Sequence, residues 1–474
     1  MGPPHRVHRP AVGRLRGWRR LHERPVEYRW RCCPAGRPVS QPSVSIIVLN
    51  WNGRPYLAEC LGSLRSQTYD GPYQVVLVDN GSQDGSADYV EASFPGVRLI
   101  RSAVNLGFAA GNNLAARQLD TDLLAFLNND TRTEPTWLDE LVQSVTVAPD
   151  VACAGGRILS WDGKTVDFLG GGATLTGLGI QFGYGQPAAV EAPAGDILFA
   201  CGGSMIVKRE PYLQIGGLDD DYFLFYEDLD LGWRFWLAGY RVRYAPGAIM
   251  YHRHHGGTRR FEDERLAVLY ERNALYTIYK NYDDRHLAAV LPAALLLTAE
   301  RATQMAGIDR RGFQLPAGSN RLAQPALTSG VVKVDDWTKV TAGLRQHGVG
   351  ATGRRLLRAV RMRLRPAIGR LRGRLGERIS GRRSTVLVPR VAISRLVALE
   401  EFGTNLPELI KKRRAVQALR RRDDDDIIEL FKTALEPGFD GPGFIEFHRA
   451  LVQALRLDRL VEVRPSSERP ASHA

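Results

Sequence analysis

Three short apolar runs, each stopping abruptly in asparagine, aspartate and small polar residues, constrain this chain more than anything else in it. Residues 44–49 run into Asn50, Trp51, Asn52 and Gly53; residues 74–78 into Asp79, Asn80, Gly81 and Ser82; residues 123–127 into Asn128, Asn129, Asp130 and Thr131. Runs of this kind predict strands buried on both faces, as in a parallel sheet. Helical spacing over 56–65, a cappable helix over 84–92, a short strand at 97–100 and a glycine-rich helix start at 105–113 fill the intervals. The alternation predicts a doubly wound, mostly parallel α/β sheet. Its polar strand ends then share one edge, the edge where such sheets bind ligands.

A single polar strand end is a turn or a helix cap and needs no other role. Three converging on one edge suit a divalent cation that holds phosphates through oxygen ligands, and Asp130 is the first candidate ligand. The loop with Asn105, Gly107 and Asn112 can bring backbone N–H groups up to a phosphate at a helix start. The segment after the first strand reads NWNGRPYL and not GxGxxG, which disfavours a nicotinamide dehydrogenase. Further on, residues 222–239 set Glu227, Asp228, Asp230, Trp233 and Trp236 directly after an aromatic run. The spacing of Leu231, Phe235 and Ala238 predicts a helix with the carboxylates at its N-terminus. Dipole complementation is the plain reason for acids there, and proton transfer the chemical one.

The series SIIVLNWNG, VLVDNGSQDGS, NLGFAAGNN, FLNNDT, CGGSMIVKRE and GGLDDDYFLFYEDLDLGWRFWLAGY, followed by a histidine, resembles the family-2 inverting glycosyltransferases of the GT-A fold. It is most similar to their bacterial rhamnosyltransferase-like branch, over about residues 43–258. The resemblance implies an α/β GT-A domain, Rossmann-like with a mostly parallel doubly wound sheet, over 42–285. A basic segment 1–41, read as disordered, precedes it, and a helical, partly basic region 286–474 follows. Implied too is transfer of a sugar, rhamnose among the candidates, from a dTDP or UDP donor to a lipid-linked or polysaccharide acceptor, assisted by Mg2+ or Mn2+.

Residue by residue, the resemblance makes Asp79 the contact to the nucleotide base, with Asn50 and Asn52 at the same pocket edge. Asn128, Asn129 and Asp130 take the place of the family's DxD metal motif, with asparagine for its first aspartate. His252 resembles a histidine that approaches metal and diphosphate, with His254 and His255 as weaker candidates. Gly202 and Gly203 resemble the loop that lets donor and acceptor approach the backbone. Asp228 takes the place of the general base, with Glu227 beside it. Trp233 and Trp236 are acceptor-stacking candidates, with an ordinary core role as the alternative. Two other functions stay open: a binding or scaffold protein on the same fold, for which Asn128 is the argument, and a nucleotidyltransferase holding phosphates at the same strand ends.

The net charge of +13 is local. Residues 1–41 carry +8 and residues 354–383 carry +11, so the rest of the chain is net acidic. Within 352–383, Leu356, Leu357, Val360, Leu364 and Ile368 fall three or four apart, the pattern of a basic amphipathic helix drawn to anionic lipid. Nucleic-acid binding is disfavoured, because no aromatic residues interleave that stretch. The five cysteines show no CxxC pair, which fits a reduced, cytoplasmic protein at the inner membrane face. The longest apolar stretch, 287–299, contains Pro292 and is short of the roughly 20 residues a bilayer requires. If 352–383 docks on lipid, co-sedimentation with anionic vesicles should fall steeply as salt rises, since screening acts over ~10 Å at 0.1 M. Equal binding to neutral vesicles would count against it.

Overall fold

The computed structural model describes residues 41–253, 262–308 and 388–462. The first half runs β1 Val44–Asn50, α1 Arg54–Leu64, β2 Tyr73–Asn80, α2 Ser86–Ser93, β3 Arg98–Ser102, α3 Gly107–Ala116, β4 Leu123–Asn128, β5 Thr131–Thr133, α4 Trp137–Thr146 and β6 Val151–Ser160. Then come β7 Val166–Phe168, β8 Gly171–Ala173, β9 Gly179–Gln181, β10 Gly195–Asp196, β11 Ser204–Lys208, α5 Arg209–Gln214, α6 Glu227–Leu237, β12 Arg241–His252, α7 Asp263–Asn281 and α8 Asp284–Ala306. Helices Arg390–Thr404, Leu406–Ala418, Asp424–Ile428 and Pro442–Ala454 complete the chain. The arginine-rich stretch 354–383, Cys32, Cys33, His254 and His255 lie outside the described residues.

The main sheet is ordered β10-β12-β6-β11-β4-β1-β2-β3. The pairs β1–β2, β1–β4, β2–β3 and β6–β12 are parallel, and β11 enters antiparallel between β4 and β6. The expected α/β architecture, mostly parallel with a helical C-terminal extension, is the one observed. Register does the positioning: Asn50 lies opposite Asp79 and Leu49 opposite Asn128, so the polar strand ends stand side by side. Each strand reaches that edge through fully buried apolar residues, such as Ile46, Val48, Val76 and Phe126, which leave it no other register.

Helix α6 packs on β6 and β12 on one side and on α7 and the helix Asp424–Ile428 on the other. Its residues are accordingly buried almost all round. Trp233 is fully buried, edge-on to Tyr282 at 4.7 Å and to Phe431 at 4.9 Å. Trp236 is 4% exposed, and its indole N–H donates to the Ile197 carbonyl at 3.0 Å. This corrects the acceptor-stacking expectation: both tryptophans belong to the core, and neither presents a ring face to a ligand.

Phe431 shows how the last helices are tied in. Ala173 N donates to the Phe431 carbonyl at 3.2 Å and Leu175 N to the Ala434 carbonyl at 2.8 Å. A Cβ at Gly172 would meet the Phe431 carbonyl at 2.3 Å, so only glycine admits that approach. Among the described residues no helix is long and apolar enough to cross a membrane.

Buried ion pairs join these layers. Asp230, fully buried on α6, meets Arg234 Nε at 2.8 Å and Lys280 Nζ at 3.0 Å, and accepts from Tyr222 Oη at 3.2 Å and Asn281 Nδ2 at 3.1 Å. Lys280 also meets Asp219 at 2.5 Å, and Lys412 bridges Asp219 and Asp221. Burial works to raise both carboxyls; the charges of Lys280 and Lys412 on Asp219, and of Arg234 and Lys280 on Asp230, outweigh it and hold both below the ordinary carboxylate range. Stability from depressed carboxyls is present above a pH of about 4 and lost as pH falls through their folded values. Asp230→Ala strands Arg234 and Lys280 and should cost about 3–5 kcal/mol in denaturant unfolding. A loss under ~1 kcal/mol would show that the cluster holds nothing together.

Candidate active site

At the first strand end, Asn50 is fully buried and spent internally. Its Nδ2 donates to Ser86 Oγ at 2.9 Å and Ser82 Oγ at 3.2 Å and lies 3.5 Å from Asp79 Oδ1, while its Oδ1 accepts from Asn129 Nδ2 at 2.7 Å. It ties the β2 end to the β4 end and offers nothing outward, which corrects its assignment as a ligand contact. Asn52, at φ 52°, accepts from Gln83 N at 2.7 Å and so fixes the loop beyond β2. Asn80 was not singled out from sequence, although it repeats the strand-end pattern. It accepts from Leu106 N at 2.9 Å and donates to Asn105 Oδ1 and the Gly107 carbonyl, docking the glycine loop on this edge. Gly107 adopts φ 84°, and a Cβ there would meet the Phe223 ring at 2.5 Å. Asn112 is buried and donates to the Phe108 carbonyl, a helix-internal role that corrects its assignment to the nucleotide.

The β4 end carries Asn128, Asn129 and Asp130. Strand β5 follows at once and pairs with β12, setting His252 opposite Thr131, while Arg253 N donates to the Asp130 carbonyl at 3.0 Å. That pairing brings His252 Nε2 to 3.3 Å from Asp130 Oδ1. The other ring nitrogen, Nδ1, lies 2.9 Å from Asp167 Oδ2 on β7. Burial opposes the imidazolium, but the hydrogen bonds to Asp130 and Asp167 outweigh it and raise His252 to about 10. One carboxylate oxygen and one imidazole nitrogen at this separation can share a cation, and an aspartate behind the imidazole is the usual way to orient such a ligand. The chemistry of the donor set therefore fits a divalent metal. Asp167 escaped the sequence reading because nothing in WDGKTVDFL distinguishes it from a turn residue.

The carboxylates of α6 come to the same edge through the glycine pair. Gly202 N donates to Asp228 Oδ2 at 3.0 Å and Leu229 N to Asp228 Oδ1 at 2.8 Å. A Cβ at Gly203 would meet Asn128 Nδ2 at 2.7 Å, so glycine leaves room for the Asn128 side chain where β11 pairs beside β4. Burial raises Asp228, and its backbone N–H partners offset part of the rise. Glu227 is raised further, by burial and then by the charge of Asp228, and its Oε2 is buried with no hydrogen-bond partner. Two adjacent carboxyls thus differ in environment: Glu227 is raised by burial and by its neighbour's charge with one oxygen unpartnered, whereas Asp228 has two backbone N–H donors that favour its anion.

Another acid and histidine cluster lies elsewhere, where α8 begins. Asp283, His286 and Asp424 bring one ligand atom each within 4.8 Å of one another. Arg420 Nη1 already sits 3.1 Å from Asp424, and Arg285 Nη2 2.5 Å from Asp425, which also meets His286 Nε2 at 3.1 Å. The positive charge a cation would supply is already in place, so the cluster reads as an ion-pair clamp between α8 and the helix Asp424–Ile428.

Residues 45–216 match the family model described as Glycosyl transferase family 2. The chain is 35% identical over 124 residues to an N-acetylglucosaminyltransferase of Bradyrhizobium elkanii, covering 25% of this chain and 68% of that one. It is 26% identical over 234 residues to an N-acetylglucosaminyl-diphospho-decaprenol L-rhamnosyltransferase of Mycobacterium tuberculosis, covering 44% and 76%. To the O-antigen biosynthesis protein RfbC of Myxococcus xanthus it is 33% identical over 232 residues, covering 46% of this chain and 17% of that much longer protein. The chain spans a quarter or less of the length of some of the curated relatives it matches.

If Asp167 orients His252 toward a cation, Asp167→Asn should weaken Mn2+ binding by roughly 10–100-fold in calorimetry. Unchanged Mn2+ affinity would leave Asp167 a purely structural partner.

Proposed function

Because the chain belongs to glycosyl transferase family 2 and has the GT-A fold, we propose that it is an inverting transferase. It moves a sugar from a nucleoside-diphosphate donor to a hydroxyl of a lipid-linked or polysaccharide acceptor. The observation that carries this reading is Asp228, its carboxylate held by two backbone N–H groups beside the buried Glu227. An acceptor hydroxyl is a weak nucleophile at neutral pH. A positioned carboxylate that takes its proton as the oxygen attacks is what a single displacement needs.

In that displacement the O–H proton passes to Asp228 while the acceptor oxygen bonds to the anomeric carbon. The bond from that carbon to the diphosphate oxygen breaks, and the nucleoside diphosphate leaves with the electron pair. Attack opposite the leaving group inverts the anomeric centre. Asp79 holds the nucleotide, with the glycine loop from Asn105 to Gly107 beside it; the N–H groups of Leu106 and Gly107 are spent on Asn80 and Asn105, so the loop shapes the pocket instead of donating to a phosphate. A divalent metal, when bound, would offset the charge developing on the leaving diphosphate. Asp130 and His252 are the residues that would hold it, with the Asn128 and Asn129 amides beside them. An asparagine in the first acidic position leaves the site with one carboxylate ligand, which still suits Mg2+ or Mn2+ shared with diphosphate oxygens.

Rhamnose is the sugar named for the Mycobacterium tuberculosis relative, and a polyprenyl-diphosphate sugar its acceptor. Both serve as first candidates here, with dTDP or UDP as the carrier. The basic stretch 354–383 supports work at an anionic membrane surface. To test the reading, the full-length chain is incubated with Mg2+ and a panel of nucleotide sugars, and nucleoside-diphosphate release is measured. Pyrophosphate release from a nucleoside triphosphate would favour the nucleotidyltransferase instead, and donor binding without release would favour the scaffold. Asp228→Asn should keep donor affinity and cut turnover by roughly 10²–10⁴-fold, with Glu227→Gln costing less. Parental turnover in Asp228→Asn would withdraw the base assignment.

A further inference from the structure

The residues just before the acid pair are held in a conformation that side chains other than glycine avoid. Phe223, Phe225 and Tyr226 have φ of 60°, 71° and 66°. Such strain persists only where the surroundings over-determine it, and it clusters at functional sites. Here Asn273 of α7, fully buried, does the determining. Its Nδ2 donates to the carbonyls of Tyr222 at 3.0 Å, Leu224 at 2.9 Å and Phe225 at 2.8 Å, and the neighbouring Arg272 donates to the Asp221 carbonyl at 3.0 Å.

What the strain achieves is an aromatic surface. The Phe225 ring stacks on Tyr270 of α7 with centroids 4.2 Å apart and planes at 14°, and Tyr226 meets Tyr270 edge-on at 5.7 Å. A core stack would be covered, yet Tyr270 is 43% exposed, and Tyr184, from the segment after β9, is 60% exposed. Tyr226, which Tyr270 meets, immediately precedes Glu227 and Asp228 at the start of α6, so the stack stands beside the acid pair; burial, then the charges of Glu227 and Asp228, push the Tyr270 hydroxyl up to about 12. The glycine loop reaches the same strained segment from the other side, where Phe108 N donates to the Phe223 carbonyl and a Cβ at Gly107 would meet the Phe223 ring. The exposed aromatic wall therefore adjoins the position where the attacking hydroxyl must sit.

Resting on the reading of Asp228 as base, we propose that the Phe225–Tyr270 stack is the acceptor subsite, and that the acceptor carries its reacting hydroxyl on a pyranose ring whose C–H face packs against Tyr270. A pyranose presents axial hydrogens on one face and hydroxyls around its rim, so an aromatic plane beside a carboxylate matches both at once. Asn273 acts as a positioning residue, fixing the wall relative to the base.

Saturation-transfer NMR on the full-length chain with UDP and Mn2+ tests this, using the methyl pyranosides of glucose, galactose, rhamnose and N-acetylglucosamine as probes. The parent and Tyr270→Phe should contact at least one of them through ring C–H protons. Tyr270→Ala, and Tyr270→Leu, which keeps apolar bulk without a ring, should weaken that contact about tenfold while UDP affinity stays parental. Parental pyranoside affinity in both ring-less variants overturns the proposal, as does a parent that binds UDP and none of the pyranosides. A parent that binds neither UDP nor dTDP takes down the transferase reading, and the subsite with it.

Discussion

The buried charge cluster centred on Asp230 is the interaction the rest of the structure depends on. A carboxylate with no exposure, two residues after Asp228, is tolerable only with cations beside it. Arg234 arrives from its own helix and Lys280 from α7, and Asp219 and Lys412 extend the cluster to the turn before α6 and to the helix Leu406–Ala418. The Coulombic gain offsets desolvation only if every partner is in place, so the network acts as a registration device for four segments far apart in sequence. Because α6 also carries Glu227 and Asp228, whatever fixes its axis fixes the acid pair. Asp228 is thus placed by a charge cluster whose centre, Asp230 with Arg234 and Lys280, is shut off from solvent.

Sheet register supplies the other half of the site. Asn50, Asp79 and Asn128 stand side by side because their strands pair in parallel without a slip, and the short β5 then folds back to meet β12 and delivers His252. The glycines just before β11 run close beside the β4 end, where Gly202 N reaches Asp228. The polar strand-end edge and the acid pair are therefore built on different frameworks, one on strand pairing and one on helix packing, which meet at Asn128 and Gly203.

The strand ends were legible in the sequence because burial on both faces leaves a continuous apolar run, and its termination marks the edge directly. His252 and Asp228 were legible only through the order of motifs. Asp167 was not, since a single aspartate in a three-residue strand carries no periodic signal. The tryptophans were misjudged for a different reason. Periodicity identifies one buried face of a helix, and α6 is buried on nearly every face because Phe431 and the helix Asp424–Ile428 cover the side that spacing alone would leave to solvent. A partner two hundred residues downstream is invisible to any local pattern. Asn50 and Asn112 show the same limit: composition at a strand end or helix start says that amides gather there, and not which of them are consumed by the scaffold.

The return of the chain at Phe431 bears on the order of events during synthesis. The ribosome releases the whole sheet, the acid pair and α7 before the segment that packs on Trp233 and pairs with Ala173 and Leu175 has been made. Until then the side of α6 away from the sheet presents indole and leucine side chains to water, in a nascent chain whose strands are already poised to pair. The catalytic half is consequently not a cassette that evolution can cut at the end of its recognisable motifs. Its core takes in Phe431, Ala434 and Leu457, and any rearrangement that fuses, trims or replaces these late helices must carry those residues along or find substitutes for them.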